Sequence, residues 1–308
     1  MEGVLEMLPK SILTDIEGMT LKEDDVEEIR IRVGRPLEVM AGRKIHYGLR
    51  PVVREEAEIF MNKISQFSFY MLDEELKRGY ITIKGGHRVG IAGKVILENG
   101  HVKGIREVTF FNIRIARQKK GLAEGWIPYL YQGRWLSTLV IGPPQTGKTT
   151  FLRDMARIAS TGVERKGIDP KKVGIIDERS EIAGCVHGVP QMDFGIRVDV
   201  LDSCPKAEGM MMMIRSMSPD ILVADEIGRN EDRDAVMEAV NAGASLFITA
   251  HGHSLEDILS RPSMKAIVTE ARFERFIELE RLDKPGCIAK IRDRAGKLLY
   301  GRERVRET

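Results

Sequence analysis

Three cysteines in 308 residues, Cys185, Cys204 and Cys287, leave no disulfide framework to read, and their spacing fits neither a zinc site nor a redox pair. That scarcity suits buried thiols in a reducing compartment. No apolar run approaches the roughly 18 residues that a membrane-spanning helix needs. Residues 1–9 carry Glu2 and Glu6 and lack a basic stretch, so no secretory signal is expected. There is no internal repeat and no low-complexity tract. Nor does one sign of charge dominate: 48 Lys and Arg face 46 Asp and Glu, and a net charge of +2 selects no partner. These absences point to a cytoplasmic protein, with docking onto a membrane machine left open.

What is present is an ordinary globular composition, 43% hydrophobic and 31% charged, in a chain long enough for two domains. Charge is uneven locally. Residues 77–120 hold eleven Lys or Arg against Glu98 and Glu107, and residues 15–28 hold seven acids against Lys22. The first half reads as α+β. Residues 4–16, 21–28 and 54–76 have helical patterns, the last with a possible break. Residues 29–33 and 37–41 read as strands paired around Gly34-Arg35-Pro36. Residues 80–83, 87–97, 101–105 and 110–115 add strands, with Asn99-Gly100 as a two-residue hairpin signal.

From residue 136 the rhythm changes. Continuous apolar runs at 136–141, 173–176, 221–224 and 246–249 alternate with helical stretches at 150–160, 205–217, 232–242 and 255–271. That alternation predicts a parallel sheet covered on both faces. Residues 273–280, 287–292 and 297–300 read as an antiparallel meander, turned at Lys284-Pro285-Gly286 and Ala295-Gly296. The expected division is residues 1–121, a smaller α+β domain, and residues 122–308, an α/β domain. Met210, Met213, Ile214 and Met217 fall on one helical face and predict core, with a soft partner groove as the other reading. Trp126, Tyr129, Tyr131 and Trp135 are expected around the linker and the nucleotide side of that core.

The chemistry centres on Gly142-Pro143-Pro144-Gln145-Thr146-Gly147-Lys148-Thr149, followed by Thr150, between an apolar strand and an amphipathic helix. This GxxxxGK[ST] pattern cradles phosphates: glycines let N–H groups close on the oxygens, and the helix start adds its dipole. Lys148 would meet the β- and γ-phosphates and Thr149 would hold Mg²⁺. Asp225-Glu226 ends the strand at 221–224. There Asp225 would serve Mg²⁺ and Glu226 the attacking water, the alternative being a strand that ends in a solvated loop. Asp177, Glu178 and Glu181 end another strand and could serve metal or water, or mark a solvated helix start with Arg179 as local partner. His251 and His253 end a third; His251 could bond a phosphate or a carboxylate, or be structural. In the basic segment Arg88, Arg106, Arg114 and Arg117 are candidates for phosphate contact from a neighbouring domain or subunit. A solvated face and a nucleic-acid groove are the other readings. Phe110 and Phe111 are too few for a stacking platform.

In this order and spacing the motifs resemble the secretion ATPase superfamily of type II and type IV systems. Asp177–Glu181 looks like its Asp box, Asp225-Glu226-Ile227-Gly228-Arg229 like its Walker B, and Thr249-Ala250-His251 like its His box. Glu28-Ile29-Arg30-Ile31-Arg32 before Gly34-Arg35-Pro36 is similar to the opening of its N-terminal domain. The closer resemblance, over essentially the whole chain, is to the superfamily's sporulation branch in endospore-forming bacteria. It rests on GPPQTGKTT, IIDERSEIAG and PDILVADEIG. The Asp box lacks the usual proline, the tetracysteine zinc site of some type II members is absent, and Gly228 precedes Arg229. A related organellar and cyanobacterial group has an extra C-terminal nucleic-acid-binding domain; ending at Thr308 without one is expected to place this chain with the sporulation branch.

The resemblance implies a RecA-like P-loop domain behind an α+β N-terminal domain, arranged as a homo-hexamer. It implies ATP and Mg²⁺ as cofactors and membrane-embedded channel proteins as docking partners. The implied work is that of a motor for the channel between mother cell and forespore. On this reading the catalytic set is Lys148, Glu226, Glu178, Glu181 and His251, with an arginine such as Arg106, Arg114 or Arg117. Two other classes stay open: a nucleic-acid-dependent ATPase, motivated by the basic segment, and a nucleotide-dependent assembly scaffold. Nucleic acid is the less favoured partner.

Overall fold

In a computed structural model describing residues 1–42, 44–65, 73–281 and 286–302, strand pairing builds two sheets, one in each of two compact units. The first unit is Met1–Arg117 with Gly184–Met192; the second is Gln118–Ala183 with Asp193–Thr308.

The first unit runs α1 (Glu2–Leu5), α2 (Lys10–Gly18), β1 (Val26–Arg32), β2 (Pro36–Ala41), β3 (Lys44–Pro51), α3 (Arg54–Ile64), α4 (Asp73–Arg78), β4 (Tyr80–Ile83), β5 (His87–Glu98) and β6 (His101–Arg114). The strands pair antiparallel in the order β3-β2-β1-β6-β5-β4. Ile29, Ile31, Leu37, Val39, Val89, Phe111 and Ile113 form one core with Ile12 of α2 and Phe60 of α3. Phe60 meets Phe111 edge-on at 5.0 Å between ring centroids. Asn99 and Gly100 both have positive φ, 53° and 79°, and close the β5–β6 hairpin as their pairing in sequence predicts.

Several local expectations change here. The helix expected at 4–16 is two helices, because Pro9 has extended backbone and caps α2. Residues 21–28 give only a 3₁₀ turn at Glu23–Asp25 before β1 begins, since Val26 gains strand partners in β2. The helical stretch at 54–76 is met by α3 and the start of α4, as its possible break allows; residues 66–72 between them lie outside the described residues. The strands expected at 101–105 and 110–115 are one, β6, bulged opposite Gly93. β3 was not foreseen: its apolar Ile45, Tyr47 and Leu49 point outward, the reverse of the usual alternation.

The second unit runs α5 (Ile127–Leu130), β7 (Thr138–Gly142), α6 (Lys148–Thr161), β8 (Val173–Asp177), β9 (Val198–Asp202), α7 (Lys206–Met217), β10 (Ile221–Ala224), α8 (Asn230–Asn241), β11 (Ser245–His251), α9 (Leu255–Ser260), α10 (Pro262–Glu270), β12 (Arg275–Glu280), β13 (Cys287–Asp293) and β14 (Leu298–Gly301). The order is β14-β13-β12-β7-β11-β10-β8-β9, parallel from β12 to β9 and antiparallel at β13 and β14. β7, β8 and β10 are buried at every residue, as a sheet covered on both faces requires. Leu139, Ile141, Leu222, Ala224, Leu246 and Ile248 pack with α7–α10. The alternate residues, Val140, Val223, Phe247 and Thr249, turn to the opposite face, and α6 packs against β7, β8 and β11. The expected α/β class, a largely parallel sheet behind a smaller α+β region, is the observed one.

Here too details differ. The helix expected at 255–271 splits between Arg261 and Pro262, where proline removes a backbone donor. The edge strand β9 was missed because its Val-Asp-Val-Leu-Asp is only half-buried. Met210 and Met213 are core, but Met217 is 49% exposed because α7 ends there in a left-handed Ser218. Cys185 is buried, whereas Cys204 and Cys287 are half-buried. Trp135 meets edge-on both Tyr131 and Phe247, which pairs with Thr138 at the amino end of β7. It therefore sits away from the expected nucleotide side. In the expected meander turn, Lys284 and Pro285 lie outside the described residues.

Candidate functional site

Parallel strands deliver their carboxyl ends to one edge of a sheet, and that is where ligand chemistry gathers. Four neighbouring ends do so here. β7 runs into Gly142, β11 closes on His251, β10 leads to Asp225-Glu226 and β8 ends at Asp177.

The loop after β7 turns through Gln145 and Gly147, both left-handed with φ of 64° and 89°. Such turns bring successive N–H groups toward one side, forming a concavity that suits anions. Gly142 admits no side chain, since a Cβ there would lie 2.6 Å from Thr146 Oγ1. Thr146 Oγ1 donates to Pro143 O at 2.8 Å and fixes the loop's width. Lys148, Thr149 and Thr150 form the first turn of α6, where N–H groups lack partners within the helix. Lys148 is buried, and its Nζ donates to Gly142 O at 2.9 Å and Pro143 O at 3.1 Å. Burial pushes its pKa down, while Asp225 and Glu226 pull it back up.

Thr149 Oγ1 donates to Asp225 Oδ2 at 2.6 Å, joining α6 to the end of β10. The other oxygen, Asp225 Oδ1, accepts from the Thr249 hydroxyl of β11. Glu226 N–H donates to that same hydroxyl at 2.8 Å, and Ile227 N–H donates to Thr249 O at 3.0 Å. Glu226 is left-handed at φ 53°, exposed, and paired with Arg179 at 3.0 Å.

Asp177 does a different job from the one its position suggested. Its carboxylate accepts N–H bonds from Glu181 at 2.8 Å, Ile182 at 3.0 Å and Ala183 at 2.8 Å, so it shapes the following loop. Burial raises its pKa against the pull of those three donors. Glu178 pairs with Lys206 at 2.5 Å, and Lys206 is only 7% exposed. Burial is the strongest single influence on Glu178 and would raise its pKa, but the Lys206 bond and charge, together with the charges of Arg229 and Arg179, outweigh it and the net shift is downward. Glu181 is exposed and its carbonyl accepts from Arg153 at 2.8 Å. Asp177, Glu178, Arg179, Glu181, Lys206, Asp225 and Glu226 line a single cleft.

His251 is exposed and stands opposite Gly142 in the β11–β7 register, and its carbonyl accepts from Arg261 at 2.6 Å. His253 N–H donates to Asp257 at 2.8 Å. Arg106, Arg114 and Arg117 belong to the first unit. Arg106 and Arg114 are exposed on β6, with Arg114 opposite Glu28 and Arg88. Arg117 donates to Val26 O at 2.6 Å and Glu23 O at 3.2 Å, tying down the start of β1. Arg88 lies 3.4 Å over the Tyr80 ring.

Sequence reasoning missed Lys206 and the Thr249 hydroxyl. A lysine in the first turn of a helix runs against the helix dipole, and that mismatch was the available signal for Lys206. For Thr249 the signal was its place in the Thr249-Ala250-His251 string, where attention went to the histidine. The loop fits a phosphate, and the Thr149 and Asp225 oxygens are hard donors of the kind Mg²⁺ takes beside phosphate. Among the described residues no cluster of three or more His, Cys, Asp or Glu forms a metal site.

The family model for sporulation stage III, protein AA, matches residues 1–299. The chain belongs to that family. Stage III sporulation protein AA of Bacillus subtilis (strain 168) is 53% identical over 300 residues, 97% of each chain. Among solved structures, the Legionella pneumophila ATPase DotB matches with a TM-score of 0.58 at 14% identity, over 92% of this chain and 80% of that one. The pilus retraction motor PilT, solved with ADP, matches with a TM-score of 0.61 at 17% identity, over 96% and 84%. At such identities the likeness establishes the fold, that of the RecA-like secretion ATPases. Among the described residues no helix is long and apolar enough to cross a membrane.

Proposed function

We propose that this family member is a Mg²⁺-dependent ATPase and the motor of a secretion-like channel complex, acting at the channel between mother cell and forespore. One observation carries the reading: the 2.6 Å bond from Thr149 to Asp225, which unites the two nucleotide motifs in one site. Residues 142–150 cradle the phosphates, and Lys148 neutralises the β- and γ-oxygens. Thr149 and Asp225 hold Mg²⁺, which when bound offsets phosphate charge. Glu226 orients the attacking water, Glu178 and Glu181 support it from the loop after β8, and His251 reads the γ-phosphate from the end of β11. Residues 122–308 are the ATPase domain and residues 1–121 the domain in front of it. Six copies form a ring, in which Arg106 or Arg114 supplies a cation to a neighbour's site. Arg117 is the weaker candidate because its guanidinium already holds two carbonyls. The ring docks onto membrane-embedded channel proteins without entering the bilayer.

The test is ATP turnover by the purified full chain, with and without nucleic acid, beside size analysis with a non-hydrolysable analogue. Turnover that follows ring formation, ignores nucleic acid and disappears in Lys148→Ala supports the motor. Full turnover in Lys148→Ala sinks it.

A further inference from the structure

We infer that Thr249 is a positioning residue whose single hydroxyl sets both acids at the end of β10; the inference rests on the hydrolase reading above. A threonine hydroxyl has one proton to donate and lone pairs to accept with. Asp225, as a carboxylate, can only accept, so the proton goes to its Oδ1. The Glu226 N–H can only donate, at 2.8 Å, so it takes a lone pair. Both directions are thereby fixed. The Thr249 carbonyl adds a third hold, on Ile227 N–H at 3.0 Å.

These holds fall on a turn that needs them. Glu226 stands at φ 53°, a region that residues with a Cβ occupy only when their surroundings dictate it. Thr249 is fully buried in β11, between β7 and β10, so it is itself immobile. It thus references two functional carboxylates to the core of the sheet. The Asp225 oxygen it does not hold is the one bonded to Thr149. Loss of the hydroxyl frees Asp225 Oδ1 and unpins the Glu226 turn while leaving Lys148 and the phosphate loop intact.

The test uses the full chain as wild type, Thr249→Val and Thr249→Ser. Valine keeps the shape and drops the hydroxyl; serine keeps the hydroxyl and drops the methyl. Thr249→Val is expected to lose ~10²-fold in kcat, the scale of an ångström-level misplacement, with KM for ATP changed only a few-fold. Thr249→Ser is expected to recover most of the turnover. Amide hydrogen exchange without nucleotide gives a second readout: Glu226 N–H exchanges faster in Thr249→Val and near the wild-type rate in Thr249→Ser. Wild-type turnover in Thr249→Val, or equal loss in both variants, overturns the assignment. So does unchanged protection of Glu226 in Thr249→Val. If the wild type itself does not hydrolyse ATP, the hydrolase reading fails, and exchange at Glu226 alone still decides whether the hydroxyl sets the turn.

Discussion

The two units bury and expose opposite things. Among the described residues, buried polar or charged side chains number three in the first unit, Glu56, Ser65 and His87, and twelve in the second. Exposed large apolar side chains run the other way, ten in the first unit and five in the second. Burying charge is costly unless every group finds a partner. In the second unit they do: Asp177 with three N–H groups, Lys206 with Glu178, and Lys148 with two carbonyls. The unit with the larger, doubly covered core is the one that can hold such groups still, and three of them, Lys148, Asp177 and Lys206, stand where β7 and β8 end and α6 and α7 begin. The first unit has one covered face, and its other side chains meet solvent.

That contrast can be attacked from both sides. The largest effect is expected from Lys148→Ala, which should lower ATP turnover by about 10³-fold, the scale of losing a cation at developing phosphate charge. A steady-state assay checks it, with circular dichroism to confirm folding. Phe60→Ala should cost the first unit about 3–5 kcal/mol, because a fully buried ring leaves a cavity against Phe111. Urea titration reads this, and a loss confined to the second unit's transition would contradict the division of cores.

Asp177→Ala removes the acceptor of three buried or half-buried N–H groups and should cost about 1–3 kcal/mol in the second unit. Smaller still is the acid response of the first unit. Burial, with a minor push from the N-terminal charge, lowers His87 from its ordinary 6.5 to about 4. The unfolded chain then binds the proton more readily, so stability falls as pH drops from 6.5 to 4. Burial works to raise Glu56, but bonds from Arg50, Ser11 and Val53 N–H outweigh it and hold it at about 2. Its contribution is full above 4.5 and is lost as pH falls to 2. Glu56→Gln should flatten that lower limb in a series of melts against pH, and an unchanged limb would mean Glu56 is not its source. Least of all, Leu49→Ser should move stability by no more than about 0.5 kcal/mol, since that side chain is fully exposed.

The same contrast explains what could be read in advance. Continuous apolar runs ending in Gly142, Asp177 and Asp225 announce buried parallel strands, and the phosphate loop and its paired acids lie in local strings. β3 could not be read, because Ile45, Tyr47 and Leu49 face outward and only pairing with β2 makes the segment a strand. The helix expected at 21–28 failed for the same reason, as distant strands claimed its backbone. At the site, Lys206 and Thr249 reach their partners from 28 and 24 residues away. No local pattern encodes such a meeting. Asp177 was legible as an acid at a strand end, but its use as an acceptor for a loop was not.

The β5–β6 hairpin also offers a handle. Asn99 and Gly100 are exposed, close the turn with their own backbones, and stand at the far end of a two-stranded ribbon past the bulge at Gly93. A fluorophore or a short epitope grafted between them would meet solvent and leave both cores alone. Assembly, docking and turnover could then be watched from one labelled position, in a chain whose folding the label does not disturb.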